Sequence, residues 1–205
     1  YQKSEGGADW RSVEVLDTAS LQVIDRIEDV KFSGIAWQGE VGFYYSRYDA
    51  QDGDELTAKT DQHRLYFHHV GEPKSSDEVV FVDDETFRYV SGYVTEDQRF
   101  LVVYASNTTA GNRLLVRDLN DPRGQLVNVV DDETSDISVI FSQDGMLYAL
   151  TNRAAPNSRL VKFNLQAPTA WQDVIPESEH VLDASAVGGY FFAQYMVDAI
   201  ARIEQ

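Results

Sequence analysis

The sequence predicts an all-β chain forming part of a β-propeller. Three observations carry that prediction: aromatic residues set in short alternating runs, a repeat of two strand types, and no competing helical periodicity. Eleven Tyr, ten Phe and three Trp stand among 205 residues, most of them in such runs. Side chains of this kind fit a pleated, half-buried surface. One strand type sets Arg before an alternating run: His63-Arg64-Leu65-Tyr66-Phe67, Asn112-Arg113-Leu114-Leu115-Val116 and Ser158-Arg159-Leu160-Val161-Lys162-Phe163, with Trp10-Arg11-Ser12-Val13-Glu14-Val15 a looser copy. The other type is an aromatic or aliphatic run after a tight turn: Phe43-Tyr44-Tyr45, Phe100 to Tyr104, Leu147 to Leu150 and Tyr190-Phe191-Phe192.

Spacing converts these strands into a repeat. Arg64 and Arg113 are 49 positions apart, and Arg113 and Arg159 are 46. Phe43 to Phe100 is 57, Phe100 to Leu147 is 47, and Leu147 to Phe191 is 44. The long first interval comes from an insertion between Asp49 and Asp61. Short strands at such a period match one four-stranded propeller blade per repeat. The prediction is about four four-stranded antiparallel blades, with approximate repeats at 1–31 (partial), 32–86, 87–134, 135–180 and 181–205 (partial).

Within the repeat 135–180, Ile137 to Phe141 and Met146 to Thr151 read as a hairpin across Ser142-Gln143-Asp144-Gly145. Arg159 to Leu165 and then Val174-Ile175 complete it. Asp-Gly accommodates the positive φ of a tight hairpin, and Gly39, Gln98 and Gly188-Gly189 fall at corresponding places. The passage Asp183 to Met196 contains Gly188-Gly189 and reads as a strand pair rather than a helix. The acidic clusters Asp83-Asp84-Glu85 and Asp131-Asp132-Glu133 read as solvated turns, with calcium binding as the alternative.

Composition narrows the function classes. A formal charge of -17 repels phosphate backbones and anionic lipid, against nucleic-acid and membrane-surface partners. No uninterrupted apolar stretch is long enough to span a bilayer, and cysteine is absent. A soluble protein of either the cytoplasm or the periplasm fits, and no cofactor or metal is expected. His68 and His69, adjacent on a strand, must face opposite sides, so His63, His68 and His180 read as structural or exposed rather than as metal ligands.

An ordered set of local runs resembles one family. It comprises Val30-Lys31-Phe32-Ser33-Gly34-Ile35-Ala36-Trp37, Thr60-Asp61-Gln62-His63-Arg64-Leu65-Tyr66-Phe67-His68 and Leu150 to Leu160, supported by Gly7-Ala8-Asp9-Trp10 and Asn112-Arg113-Leu114. Along essentially the whole chain these resemble prolyl oligopeptidases, serine peptidases that cleave short peptides after proline. The resemblance implies a seven-bladed propeller capping an α/β-hydrolase domain, with this chain running from late in the second blade into the sixth. The nucleophile elbow Gly-x-Ser-x-Gly is absent around Ser33, Ser91 and Ser142, so the catalytic triad is expected outside this chain. The chain alone is expected to be inactive.

By resemblance, the propeller selects short, flexible peptides, and Phe32, Val90 and Thr108 line the substrate site. Val90 falls where the family often has Met, and Thr108 near a family Cys. The insertion from Asp49 to His63 (with Asp52, Gly53, Asp54, Glu55 and Thr60) resembles a gating loop at the domain interface. Implied partners are short proline-containing peptides and the hydrolase domain. Strands lacking neighbours at the edges of an excised arc also predict self-association. The rival reading is a scaffold or sensor propeller that binds a protein or glycan.

Overall fold

A computed structural model describes residues 1–48, 62–83 and 86–205. Among the described residues, eighteen strands make five antiparallel sheets. The first comprises β1 (Gln2–Ser4), β2 (Trp10–Leu16) and β3 (Val23–Lys31). The second comprises β4 (Ala36–Gln38), β5 (Gly42–Tyr48), β6 (His63–His69) and β7 (Glu78–Phe81). The third comprises β8 (Tyr89–Val94), β9 (Phe100–Ser106), β10 (Arg113–Asp118) and β11 (Val127–Val130). The fourth comprises β12 (Ile137–Gln143), β13 (Met146–Thr151), β14 (Arg159–Phe163) and β15 (Gln172–Ile175). The fifth comprises β16 (Leu182–Val187), β17 (Tyr190–Val197) and β18 (Ile200–Glu204). Strands neighbour one another in chain order within every sheet, as local hairpin connections require. Three sheets therefore have four strands, and the first and last have three.

The Arg-containing strands share a geometric detail. Register against the following strand shifts between Leu65 and Tyr66, between Leu114 and Leu115, and between Leu160 and Val161. Each shift follows the leucine after the repeated arginine, and all three leucines are fully buried. The extra residue lies on the following strand each time (Val80, Val129 and Val174), and such a bulge bends and twists β7, β11 and β15 at a fixed place. The repeat thus exists in backbone geometry as well as in sequence.

Two local details differ from the sequence reading. Ser142 and Gln143 pair with Leu147 and Met146, so the hairpin turn contracts to Asp144-Gly145, with φ of 52° and 79°. A 3-10 turn, Lys74–Ser76, occurs where the sequence shows no helical signal. Its three residues after Pro73 are too few to show a period.

The described residues divide into two compact units, 1–94 with 103–107, and 95–102 with 108–205. In the first, Val13, Val15, Ile27 and Val30 pack with Phe43, Tyr45 and Tyr66 in one core. A buried polar network lies beside that core. The His68 ring sits between two carboxylates, Nε2 at 2.8 Å from Asp25 Oδ2 and Nδ1 at 2.7 Å from Asp77 Oδ1. Each ring nitrogen is thus within hydrogen-bond distance of a carboxylate oxygen. Tyr45 donates its hydroxyl to Asp77, and the Gly71 amide donates to Asp25 Oδ2 at 2.6 Å. Burial, then the Asp77 hydrogen bond, push the Tyr45 hydroxyl far above its usual range. Although desolvation opposes it, the Gly71 and His68 bonds hold the Asp25 carboxyl below its usual range.

In the second unit, Leu160, Leu182, Ala184 and Ala193 form a core flanked by the rings of Tyr148 and Phe191. The Asp97 carboxylate accepts hydrogen bonds from Thr95 (2.6 Å) and Ser142 (2.8 Å), tying the β8–β9 turn to β12. Arg153 grips Asp132 with both terminal nitrogens, at 2.9 and 2.8 Å. That fork holds the Asp132 carboxyl well below the usual range. Among the described residues, no helix is long and apolar enough to cross a membrane, and no group of His, Asp and Glu is placed to hold a metal ion.

Candidate functional site

β3 ends at Lys31, and the chain turns at Phe32 through a φ of 54°. A left-handed conformation costs a bulky L-residue about 1–2 kcal/mol, so its surroundings must hold it there. They do so on both sides. After Phe32, Ser33 Oγ accepts the Ser46 amide (2.7 Å) and donates to the Gly34 carbonyl (2.6 Å), while Gln2 Nε2 donates to the Ser33 carbonyl (2.8 Å). Before it, the Lys31 carbonyl accepts from His63 Nε2 at 3.2 Å. The Phe32 ring is left 46% exposed.

That ring belongs to a small aromatic and cationic surface. Tyr89 meets it edge-on, with centroids 5.9 Å apart and planes at 62°. Lys31 Nζ lies 5.1 Å from the Phe32 centroid and 5.2 Å from that of Trp10, with Asp9 at 3.6 Å as its counter-charge. The Arg88 guanidinium stands 5.9 Å from the Tyr89 ring. At exposed positions each cation–ring contact contributes roughly 0.5–1 kcal/mol. The surface offers a ring face to apolar groups and two cationic donors to carbonyl or carboxylate oxygens.

The other sequence-derived residues fall in distinct settings. Val90, in β8, is 1% exposed, and its amide donates to His63 Nδ1 at 2.9 Å. Its side chain is core, and its backbone belongs to the clamp beneath Tyr89. Thr108 is exposed in the second unit, between β9 and β10, and its hydroxyl donates to the Ala110 carbonyl at 2.6 Å. Asp49, Asp52, Gly53, Asp54, Glu55 and Thr60 lie outside the described residues. His63, grouped with them in the sequence reading, is the first residue of β6 and is 3% exposed.

His63 is fully engaged. Its backbone amide donates to the Phe87 carbonyl at 2.9 Å, and its ring stacks on Tyr48 at 4.4 Å. Tyr48 in turn donates its hydroxyl to the Arg88 carbonyl at 2.7 Å. Because Nδ1 accepts from Val90, the proton resides on Nε2, where it meets the Lys31 carbonyl. Burial pushes the ring down to about 4, against a smaller opposing effect of the Lys31 carbonyl, so it is neutral near pH 7. Sequence reasoning does not single out Trp10, Lys31, Arg88 or Tyr89 as site residues. The adjacency of Lys31 to Phe32 and of Arg88 to Tyr89 is the available signal.

Comparison with known proteins points one way. The sequence model of the family described as prolyl oligopeptidase, N-terminal beta-propeller domain, matches residues 1–205. Prolyl endopeptidases of Elizabethkingia miricola and Elizabethkingia meningoseptica are each 43% identical over 210 aligned residues, covering 100% of this chain and 30% of the relative. Prolyl oligopeptidase A of Amanita bisporigera is 29% identical, covering 86% of this chain and 27% of its own length. Among solved structures, one from a study of two prolyl endopeptidases superposes with a TM-score of 0.88 at 26% identity, covering 99% of this chain and 30% of that one. The apo prolyl oligopeptidase B of Galerina marginata superposes at 0.81 with 24% identity, covering 99% of this chain and 31% of its own, a likeness of fold. The chain spans about a third of the length of the relatives it matches.

Proposed function

The chain belongs to the prolyl oligopeptidase family, within its N-terminal β-propeller domain, and from that membership we propose that it is the substrate-selecting part of a serine endopeptidase that cleaves short peptides after proline. The chemistry belongs to a hydrolase domain outside this chain, with its own Ser, Asp and His. The propeller contributes restriction: a nucleophile enclosed between two domains is reached by short, flexible peptides and not by folded proteins.

The observation that carries the reading is the Phe32–Tyr89 pair. A half-exposed ring, held in a left-handed turn by hydrogen bonds on both sides and flanked by Lys31 and Arg88, is built to contact something apolar with polar ends. A peptide main chain carrying apolar side chains has that chemistry. Thr108 and Val90 are part of the proposed substrate lining on the resemblance alone, the side chain of Val90 being buried. The gating role of Asp49 to His63 rests on the resemblance and on the composition of that segment, which holds four Asp and one Glu against a single large apolar residue, Leu56. Exposed Val187, Tyr190, Met196, Ile200 and Ile203 in β16 to β18 favour self-association of the isolated chain. Light scattering that finds a single-chain mass at high concentration would remove that part.

The deciding experiment uses the full-length protein and a blocked Gly-Pro chromogenic amide. Hydrolysis, together with a rise in KM on Phe32→Ala, is the expected result. No hydrolysis of any post-proline bond would return the molecule to the class of binding propellers.

A further inference from the structure

We propose that His63 is a positioning residue for substrate binding: its neutral imidazole locks the two backbone segments that present Phe32 and Tyr89. The inference rests on the reading of Phe32 as part of the substrate surface.

The two aromatic rings come from segments distant in sequence, the turn after β3 and the start of β8, and a single side chain fixes both. His63 Nε2 donates to the carbonyl of Lys31, immediately before Phe32. Its Nδ1 accepts from the amide of Val90, immediately after Tyr89. The backbone of His63 holds the Phe87 carbonyl, and Tyr48, stacked on the imidazole, holds the Arg88 carbonyl. Positions 87, 88 and 90 are therefore pinned around Tyr89, and position 31 is pinned beside Phe32. An aliphatic residue at 63 would fill the space but remove the acceptor of the buried Val90 amide and the donor to the part-buried Lys31 carbonyl. Phe32 would also lose one of the two restraints on its left-handed backbone. An imidazolium would present a hydrogen where Val90 already presents one, so only the neutral ring fits. Burial keeps it in that form near pH 7.

Asn and Gln divide the imidazole's two tasks. The His63→Asn change keeps an acceptor where Nδ1 stands and loses the distal donor. The His63→Gln change keeps a distal donor and loses the near acceptor. The pair therefore tests each bond separately, and neither variant removes both partners from the buried groups.

The test uses the full-length enzyme, with KM and kcat measured on a Gly-Pro chromogenic amide carrying an aromatic blocking group and on its acetyl counterpart. Phe32→Ala is expected to raise KM for the aromatic substrate by about tenfold, the size of one lost contact or hydrogen bond. His63→Leu should raise it similarly, with kcat falling far less and with a smaller effect on the acetyl substrate. The double variant should be no worse than either single one. His63→Asn and His63→Gln should lie between wild type and His63→Leu, and they carry the test if the Leu variant does not fold. An unchanged KM in the His63 variants, or full additivity with Phe32→Ala, would overturn the inference while leaving the role of Phe32 intact. A silent Phe32→Ala would remove that role, and the inference with it.

Discussion

β6 carries one buried histidine near each end, and the two are opposite in kind. His63 meets backbone groups, one donor and one acceptor, and is neutral. His68 meets two carboxylates, one at each nitrogen. Five positions apart on one strand, they face opposite sides of the second sheet. Burial alone does not decide what an imidazole bonds to: both rings are almost wholly enclosed, one among backbone groups and the other between carboxylates. The His68 end joins two sheets by hydrogen bonds to carboxylates. The His63 end holds a half-exposed aromatic surface by neutral hydrogen bonds.

The sharpest way to break this comparison is His68→Leu. It strands Asp25 and Asp77, two carboxylates with little solvent, and breaking a buried ion pair from one side costs about 3–5 kcal/mol. Denaturant unfolding should show that loss, and a change below about 1 kcal/mol would mean that the His68 bonds to the two carboxylates carry little stability. The second test separates the two ends by pH. The His63 ring at about 4 is depressed from the ordinary histidine value of 6.5, so between these values the unfolded chain binds more protons. Its contribution is complete above pH 6.5 and is lost as pH falls through 4, amounting to about 3 kcal/mol. His63→Asn should flatten that window. Asp25, also depressed, contributes in a lower window, with stability present above the ordinary carboxylate value of 3.8 and lost as pH falls below it. A single transition shared by both ends would contradict the assignment. The smallest effect is expected for His69→Ala. His69 is half-exposed and 3.9 Å from an exposed Glu78, so its removal should cost under about 1 kcal/mol.

Much of the architecture is legible because it is written in local pattern. Trp10 to Val15, Phe43 to Tyr45, Phe100 to Tyr104 and Leu147 to Leu150 read as strands, and they lie in β2, β5, β9 and β13. The pair around Gly188-Gly189 is β16 and β17. Two-fold alternation and Asp-Gly chemistry act within a few residues, so a single sequence displays them. The site is different. Phe32 emerges only through family resemblance, and nothing local announces its positive φ. His63 reads both as the start of an Arg-type strand and as the end of the Asp49 to His63 insertion, and neither reading shows what its ring meets. Its true partners are backbone groups at 31 and 90, and no residue type marks a carbonyl or an amide as needing a histidine. His68 similarly reads only as structural or exposed, since Asp25 lies 43 positions away.

The central claim, selection by a lid rather than chemistry within it, is tested most directly by giving the full-length protein one cleavable sequence in two forms. The forms are a short proline-containing peptide and the same segment displayed in a stably folded protein. Turnover of the peptide and none of the folded protein is the expected result; equal cleavage of both would contradict selection by the lid.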